Sequence, residues 1–289
     1  MQKISSYLFI LLAAIVWGTT GTAQTFAPER AGPLAIGAVR LILGGIILSF
    51  IAFVKGEKIE LAKWDKRMLI LAAISISAYQ PLFFAGVNRA GVAVGTVVAI
   101  GSAPIVTGTV EYFTGDNKPG VKWIAASASS IIGCILLLAM GKHIKIDVVG
   151  IVFSLCAGIS YALYTLASKK LLDEHSPRQV TAMIFSFSGI LLFPLLLTQN
   201  LQWILSVRGG VVAIHLGFFT AALAFSMFNR GLTKVSASKA SVLVMAEPLT
   251  AAILAIAVLQ EELTVFSCIG LILILSGLII LTVPIKRMA

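Results

Sequence analysis

Ten apolar runs, each about as long as a bilayer is thick, take up most of this chain, and nothing else limits its fold so severely. They cover residues 5–25, 33–54, 67–87, 91–113, 121–140, 147–169, 178–197, 209–229, 236–259 and 264–283. A helix crossing the hydrocarbon core needs about 20 mostly apolar residues. A backbone placed there must also satisfy its own hydrogen bonds. Barrel strands are shorter and alternate apolar with polar, so runs this continuous exclude a β-barrel. The chain therefore reads as an all-α polytopic membrane protein with ten transmembrane helices. Composition agrees: only 12% of its 289 residues are charged, where a soluble domain has about a quarter. Too little polar surface exists to cover a soluble protein of this length.

The connecting stretches are charged or turn-like and too short for a folded domain. They read APERAGP, KGEKIELAKWDKR, NRAG, TGDNKPG, GKHIKID, KKLLDEHSPR, TQN, NRGLTKVS and QEE. Lys3, YLFILLAAIVW and Gly21-Thr22-Ala23 resemble the three regions of a signal peptide. More spans follow, however, and the first run has a counterpart later in the chain, so it is expected to be a retained helix. The formal net charge of +10 would suggest nucleic acid in a soluble chain. Here the basic residues sit mostly in short loops, with neither aromatic interleaving nor zinc-finger spacing, and nucleic-acid binding is excluded. Of 22 lysines and arginines, Arg30, Arg89, Lys142, Lys145 and Arg208 fall on one side and Arg40 lies inside a helix. The other sixteen fall on the side of the termini, which predicts cytoplasmic termini. Cys134, Cys156 and Cys268 all lie in apolar segments and read as small packing residues.

The chain aligns with itself at an offset of 144 residues without a gap. Pro33 falls on Pro177, Pro104 on Pro248, Phe84 on Phe228, Ala93 on Ala237 and Trp17 on Tyr161. The repeats are residues 1–144 and 145–289, five helices each, within one membrane domain. Five is odd, so the second repeat starts on the opposite side and the two are inverted. Inverted repeats are a known route to alternating access around a central site.

Six stretches or positions of the chain carry a family resemblance. Four are AAIVWGTT at 13–20, Pro33 with Arg40 in the second run, FFAGVNRAG, and MFNRGLTKV. With them come the proline-containing runs GVAVGTVVAIGSAPIVTG at 91–108 and VSASKASVLVMAEPLTAAIL at 235–254. The chain resembles, over essentially its whole length, the EamA-type transporters of the drug/metabolite transporter superfamily. That resemblance implies a bacterial inner-membrane transporter, most similar to exporters of aromatic and other neutral amino acids. One departure is local: the second half closes its proline run with LQEE at 259–262, the first with GDNK at 115–118. The acidic residue of that first-half end is either Asp116 or Glu111.

Glu247 and Pro248 are the least expected pair in the apolar runs. A carboxylate in hydrocarbon must be neutral, paired or facing water, and a proline removes a backbone donor and favours a kink. Glu247 is either a proton-coupling acid or ammonium contact, or a group that satisfies the broken helix. Its first-half equivalent is Ala103. Arg40 either meets a substrate carboxylate or pairs structurally. Glu111 reads as interfacial. His215 is either a proton shuttle or a packed polar contact, while His143 and His175 lie in loops without partners at metal spacing.

Trp17, Tyr79, Phe83, Tyr161 and Tyr164 are candidates for an aromatic cavity, with Gln80 as a polar neighbour. Tyr79 and Phe83 are four apart and share a helix face. Gly91 with Gly95, and Ala237 with Ser241, have the small-residue spacing that permits close helix approach. They suggest that the fourth and ninth helices pack near the centre, with Pro104 and Pro248 marking matching bends. No GxxxxGK[ST] is present and no loop could hold an ATPase, so the substrate gradient or protons would supply the energy. An intramembrane enzyme would need a motif such as GxSxG or HExxH, and neither occurs. A channel would need a continuous polar path, and the runs hold only scattered small polar residues. No cofactor or metal is expected. The expected partners are a small-molecule substrate, membrane lipid and possible coupling protons, and one repeat pair suffices for a monomer.

Overall fold

The computed structural model describes residues 2–57, 60–90, 92–115, 118–138, 147–260 and 264–283. Among these, all regular structure is helical. The first seven membrane helices are Gln2–Thr25, Pro33–Val54, Lys66–Ala90, Val92–Thr114, Val121–Leu138, Val148–Leu171 and Pro177–Leu197. The eighth is Val207–Leu232, the ninth Ala237–Val258 and the tenth Val265–Thr282. All but the fifth are long and apolar enough to cross a membrane; its apolar part, Val121–Leu137, is shorter. Short connections force the helices to alternate up and down. The face on which the chain begins therefore also carries the connections at 54–66, 114–121, 171–177 and 232–237.

Helix starts follow local chemistry. Ser176 accepts the Gln179 N–H at 3.2 Å and the Gln179 side chain accepts the Ser176 N–H at 3.2 Å. Pro177 fills the first position, where no N–H is needed. Asp147 caps the sixth helix by accepting the Gly150 N–H at 2.8 Å. That bond, with Arg89 nearby, holds its carboxyl below the usual range. Thr264 caps the tenth by accepting the Ser267 N–H at 3.1 Å.

Packing follows a two-fold pattern. The second helix packs on the seventh, the fourth on the ninth and the fifth on the tenth. The third packs on the sixth as the eighth packs on the first, and the fourth meets the sixth as the ninth meets the first. Exchanging the halves returns the same set of major pairs. The first helix therefore packs mainly on the second half and the sixth on the first, which interlocks the two.

Individual atoms repeat the symmetry. A Cβ on Gly133 would lie 2.6 Å from the Gly270 carbonyl oxygen, and one on Gly277 would lie 2.7 Å from that of Ala126. These are the same contact seen from each half, as in an isologous interface. Ser129 donates to the Leu273 carbonyl at 2.8 Å. These two positions are each other's equivalents, so they face one another across the axis.

Two helices depart from regularity, and neither departure repeats. Residues His215–Leu223 of the eighth form a π-helix. The ninth is divided into Ala237–Leu243 and Ala246–Leu259. Pro248 has no N–H for the Val244 carbonyl, which instead accepts the Glu247 N–H at 2.8 Å, a tighter turn. The expected match between the two proline helices does not extend to this break. The fourth helix runs without interruption through Pro104.

The expected glycine stripe also resolves differently. Gly91 lies outside the described residues. A Cβ on Gly95 would lie 2.8 Å from Val87 Cα on the third helix, so that glycine serves the third helix and not the ninth. Ala237 and Ser241 are buried in the ninth helix's first piece, which packs on the fourth.

Candidate functional site

A cavity of about 410 Å³ lies between the first, third and ninth helices, with contributions from the second, fourth, fifth and tenth. Each supplying helix gives residues from its middle or from the half away from the chain-terminal face. The first helix presents Trp17, Thr20, Gly21 and Gln24 at three- and four-residue steps. The third presents Tyr79, Gln80, Phe83, Phe84 and Val87. The ninth presents Glu247 and Pro248, then Ala251, Ala252 and Ala255, whose small side chains leave the space open, and Ile256. Arg40 enters from the second helix and Thr96 with Ile100 from the fourth.

Arg40 and Glu247 are the two ionisable residues of opposite charge in this lining. They lie within electrostatic range of each other, yet no ion pair joins them among the described residues. Arg40 is buried and donates one bond, from Nη2 to the Thr220 carbonyl at 3.2 Å. Its Nε has no partner, and neither do Gln80 Nε2 and Thr20 Oγ1. Buried polar groups are normally hydrogen-bonded, so such a group in a native fold requires a reason. The three residues come from three different helices and all line the cavity, though these particular atoms are buried behind its surface.

The π-helix fixes the charged end of the cavity. Widening the helical turn changes which carbonyls the ladder uses, and π-segments recur at functional sites. The Thr220 carbonyl accepts from Arg40 and also from Trp17 Nε1, the latter at 2.8 Å. One oxygen thus orients two cavity residues from different helices.

Toward the chain-terminal face the path is filled. Trp17 packs on Phe225 and Phe228 at centroid distances of 4.6 and 5.4 Å, and Tyr161 closes on its edge at 6.3 Å. Tyr161 and Tyr164 do not line the cavity. Tyr161 stands behind Trp17 and Tyr79, whereas Tyr164 is fully buried and accepts from Asn229 Nδ2 at 3.3 Å. An aromatic repeat equivalent of Trp17 was visible in the chain, but the helix it faces was not.

Glu111, in the last turn of the fourth helix, is buried among its neighbours. Its carboxylate accepts the N–H of Ala237 at 2.7 Å and of Ser238 at 3.3 Å, plus a short bond from the Ser238 hydroxyl. It thereby caps the start of the ninth helix from the fourth, satisfying donors that a helix start leaves open. Asp116, its alternative in the sequence, lies outside the described residues. Beside it, Lys169 Nζ donates to the Leu232 and Thr233 carbonyls at 2.9 and 3.0 Å, the end of the eighth helix. These contacts hold the fourth, sixth, eighth and ninth helices together on the closed side.

His215 lies outside the cavity lining, with Nε2 2.9 Å from Thr19 Oγ1 and its ring beside Phe219. His175 stacks on Trp64 with centroids 3.9 Å apart, joining two connections on the chain-terminal face. His143 lies outside the described residues. Thr20, Gln24, Thr96 and the Ala251–Ala255 face escaped the sequence reading. A face count at steps of three and four would have found Thr20 and Gln24 from Trp17 and the alanine face from Glu247, but not Thr96 on the fourth helix.

A ten-helix frame built from two repeats, enclosing one polar and aromatic cavity closed at one end, defines a multi-pass membrane transporter. The model of the EamA-like transporter family matches residues 4–139 and again 148–283, and the chain belongs to that family. The two matches start at the same offset at which the chain aligns with itself. An uncharacterized transporter of Bacillus subtilis, YwfM, is 42% identical over 95% of this chain and 93% of its own. YicL, an uncharacterized inner membrane transporter of Salmonella typhimurium, is 26% identical over 98% and 96%. The threonine/homoserine exporter RhtA of Escherichia coli is 27% identical over 97% and 92%. A solved crystal structure at 16% identity superposes with a TM-score of 0.83, covering 96% of each chain, and shares the fold.

Proposed function

We propose that the protein exports amino acids, aromatic or other neutral ones, by alternating access around this cavity. The observation that carries the reading is the unpaired Arg40 and Glu247 beside an aromatic wall. A zwitterion presents a carboxylate to a guanidinium and an ammonium to a carboxylate, while its side chain needs an apolar surface. Arg40 takes the first role, with Gln80 and Thr20 as further donors. Glu247 takes the second, and Trp17, Tyr79 and Phe83 receive the side chain. The cavity volume falls in the range of small-molecule sites, about 300–1,000 Å³.

In this reading the membrane is the bacterial cytoplasmic membrane, both termini are cytoplasmic, and residues 1–144 and 145–289 are inverted repeats. The cavity then faces outward, and the Glu111 cap and aromatic plug close the cytoplasmic side. Loading requires the mirror arrangement, in which that cap opens. The protein acts as a monomeric carrier and not as an enzyme. RhtA's export of threonine and homoserine supports the substrate class.

The test is counterflow of radiolabelled phenylalanine, tryptophan, threonine and methionine in proteoliposomes, with and without an imposed pH gradient. Saturable counterflow is expected, reduced in Glu247→Gln. A pH effect abolished by that substitution would make Glu247 the coupling acid. Absence of counterflow by folded protein would return the substrate to other small metabolites or drugs.

A further inference from the structure

A second cavity, of about 490 Å³, lies on the chain-terminal side between the second, seventh and eighth helices. Its chemistry is graded along its length. At the face are Arg178, Arg230 and Glu57; deeper are Leu48 and Ile51, then Leu223 and Phe218. Phe218 and Arg230 are twelve residues apart on one helix, somewhat under the roughly 18 Å that a rise of 1.5 Å per residue would give, because the π-turns are shorter along the axis. One leaflet of hydrocarbon is about 15 Å thick. Phe218 and Leu223 are exposed on the outer surface, so the slot opens sideways to the membrane.

The cationic end is arranged to hold an anion. Arg178 Nη1 donates to Glu57 Oε1 at 2.9 Å, which fixes that side chain and leaves its other nitrogens for a ligand. Arg230 lies 4.5 Å over the Phe9 ring and joins no ion pair among the described residues. Two guanidiniums against one carboxylate leave the mouth positive. Ser226 lines the slot between the two ends.

We propose that this slot binds one anionic phospholipid of that leaflet. Its phosphate sits between Arg178 and Arg230, and one acyl chain lies along Leu48, Leu223 and Phe218. Basic clefts between membrane helices on the cytoplasmic side are suited to acidic headgroups. The slot also touches Phe218, Ala222 and Leu223 of the π-helix, the segment whose Thr220 carbonyl orients Trp17 and Arg40. A lipid seated there braces the wall of the central cavity.

Native mass spectrometry and thermal unfolding in detergent, titrated with phosphatidylglycerol or with phosphatidylcholine of the same chains, test this. Retained phosphatidylglycerol and a Tm rise that phosphatidylcholine does not give are expected. The Arg178→Gln/Arg230→Gln protein should bind phosphatidylglycerol about ten- to a hundredfold more weakly, as for the loss of a charge-assisted hydrogen bond. Ser226→Trp, which fills the slot and keeps both arginines, should abolish the increment and decides the matter if the double variant does not fold. Glycerol phosphate should give no rise. Equal binding of the two lipids, an increment preserved in Ser226→Trp, or an equal effect of glycerol phosphate would overturn the proposal. None of these readouts depends on the transported substrate.

Discussion

The fourth and ninth helices occupy equivalent places in the two halves, yet only the ninth is broken. The fourth carries Ala103 before its proline and runs on unchanged; the ninth carries Glu247 and is divided just before it. The same contrast recurs elsewhere. Arg40 has Ile184 as its equivalent, Thr220 has Ile76, and Glu111 has Ala255. The frame is symmetric because each half must pack against the other by the same surface. The polar chemistry is not, because these charged and hydroxyl residues each occur in one half only. Duplication accounts for the transporter's frame, and residues present in one half only give its central cavity its polar lining.

That contrast can be broken most forcefully at the axis. Gly133→Leu and Gly277→Leu should be about equally damaging, each costing about 1–3 kcal/mol or preventing folding, because each pushes a side chain into the same carbonyl contact. Unequal losses in thermal unfolding would deny the isologous interface. Glu111→Ala comes next. It leaves the starting donors of the ninth helix without their carboxylate, a loss of about 2–3 kcal/mol. The protein should then open on the chain-terminal face, seen as faster thiol labelling of a cysteine at Ser241 in a background lacking the native cysteines. An unchanged labelling rate would remove Glu111 from the closure.

Glu247→Gln should lower transport by at least about tenfold, some 1.4 kcal/mol, with little change in Tm. Ala103→Ser, at the equivalent place, should leave transport within about twofold. Similar losses at both sites would mean that the site is symmetric after all. Pro248→Ala should restore a donor for the Val244 carbonyl and slow hydrogen exchange at residues 244–247, whereas Pro104→Ala, within an unbroken helix, should slow exchange around its own position less. The smallest effect belongs to Asp147→Asn, outside the membrane spans. Its carboxyl is held low, so its contribution is present at neutral pH and fades as pH falls below the usual value of about 3.9. Asp147→Asn should therefore narrow the Tm difference between neutral and acid solution.

Much of this was legible along the chain. Run length gave the ten helices, because hydrocarbon thickness leaves one solution. A constant offset gave the repeat, and four-residue spacing put Tyr79 with Phe83. Trp17, Gln80, Arg40 and Glu247 were singled out because large or polar groups in apolar runs must face something. The rest concerned which helix each face meets. Tyr164 has the composition of a cavity residue and is core, since Phe225, Phe228 and Asn229 of the eighth helix close over it. Gly95 has the spacing of a central contact and serves the third helix.

Sequence alone therefore determined the class of the protein, its helix count and its duplicated frame. These follow from one-dimensional rules: the length needed to cross a bilayer, the charges that cannot enter it, and repetition. Only the tertiary structure decided that Arg40 and Trp17 share one carbonyl, that Glu111 caps a distant helix, and that the π-helix stands where it does. Those features depend on groups more than a hundred residues apart meeting within hydrogen-bonding distance. A periodic pattern fixes the direction of a side chain around its own helix axis and carries no information about what stands opposite.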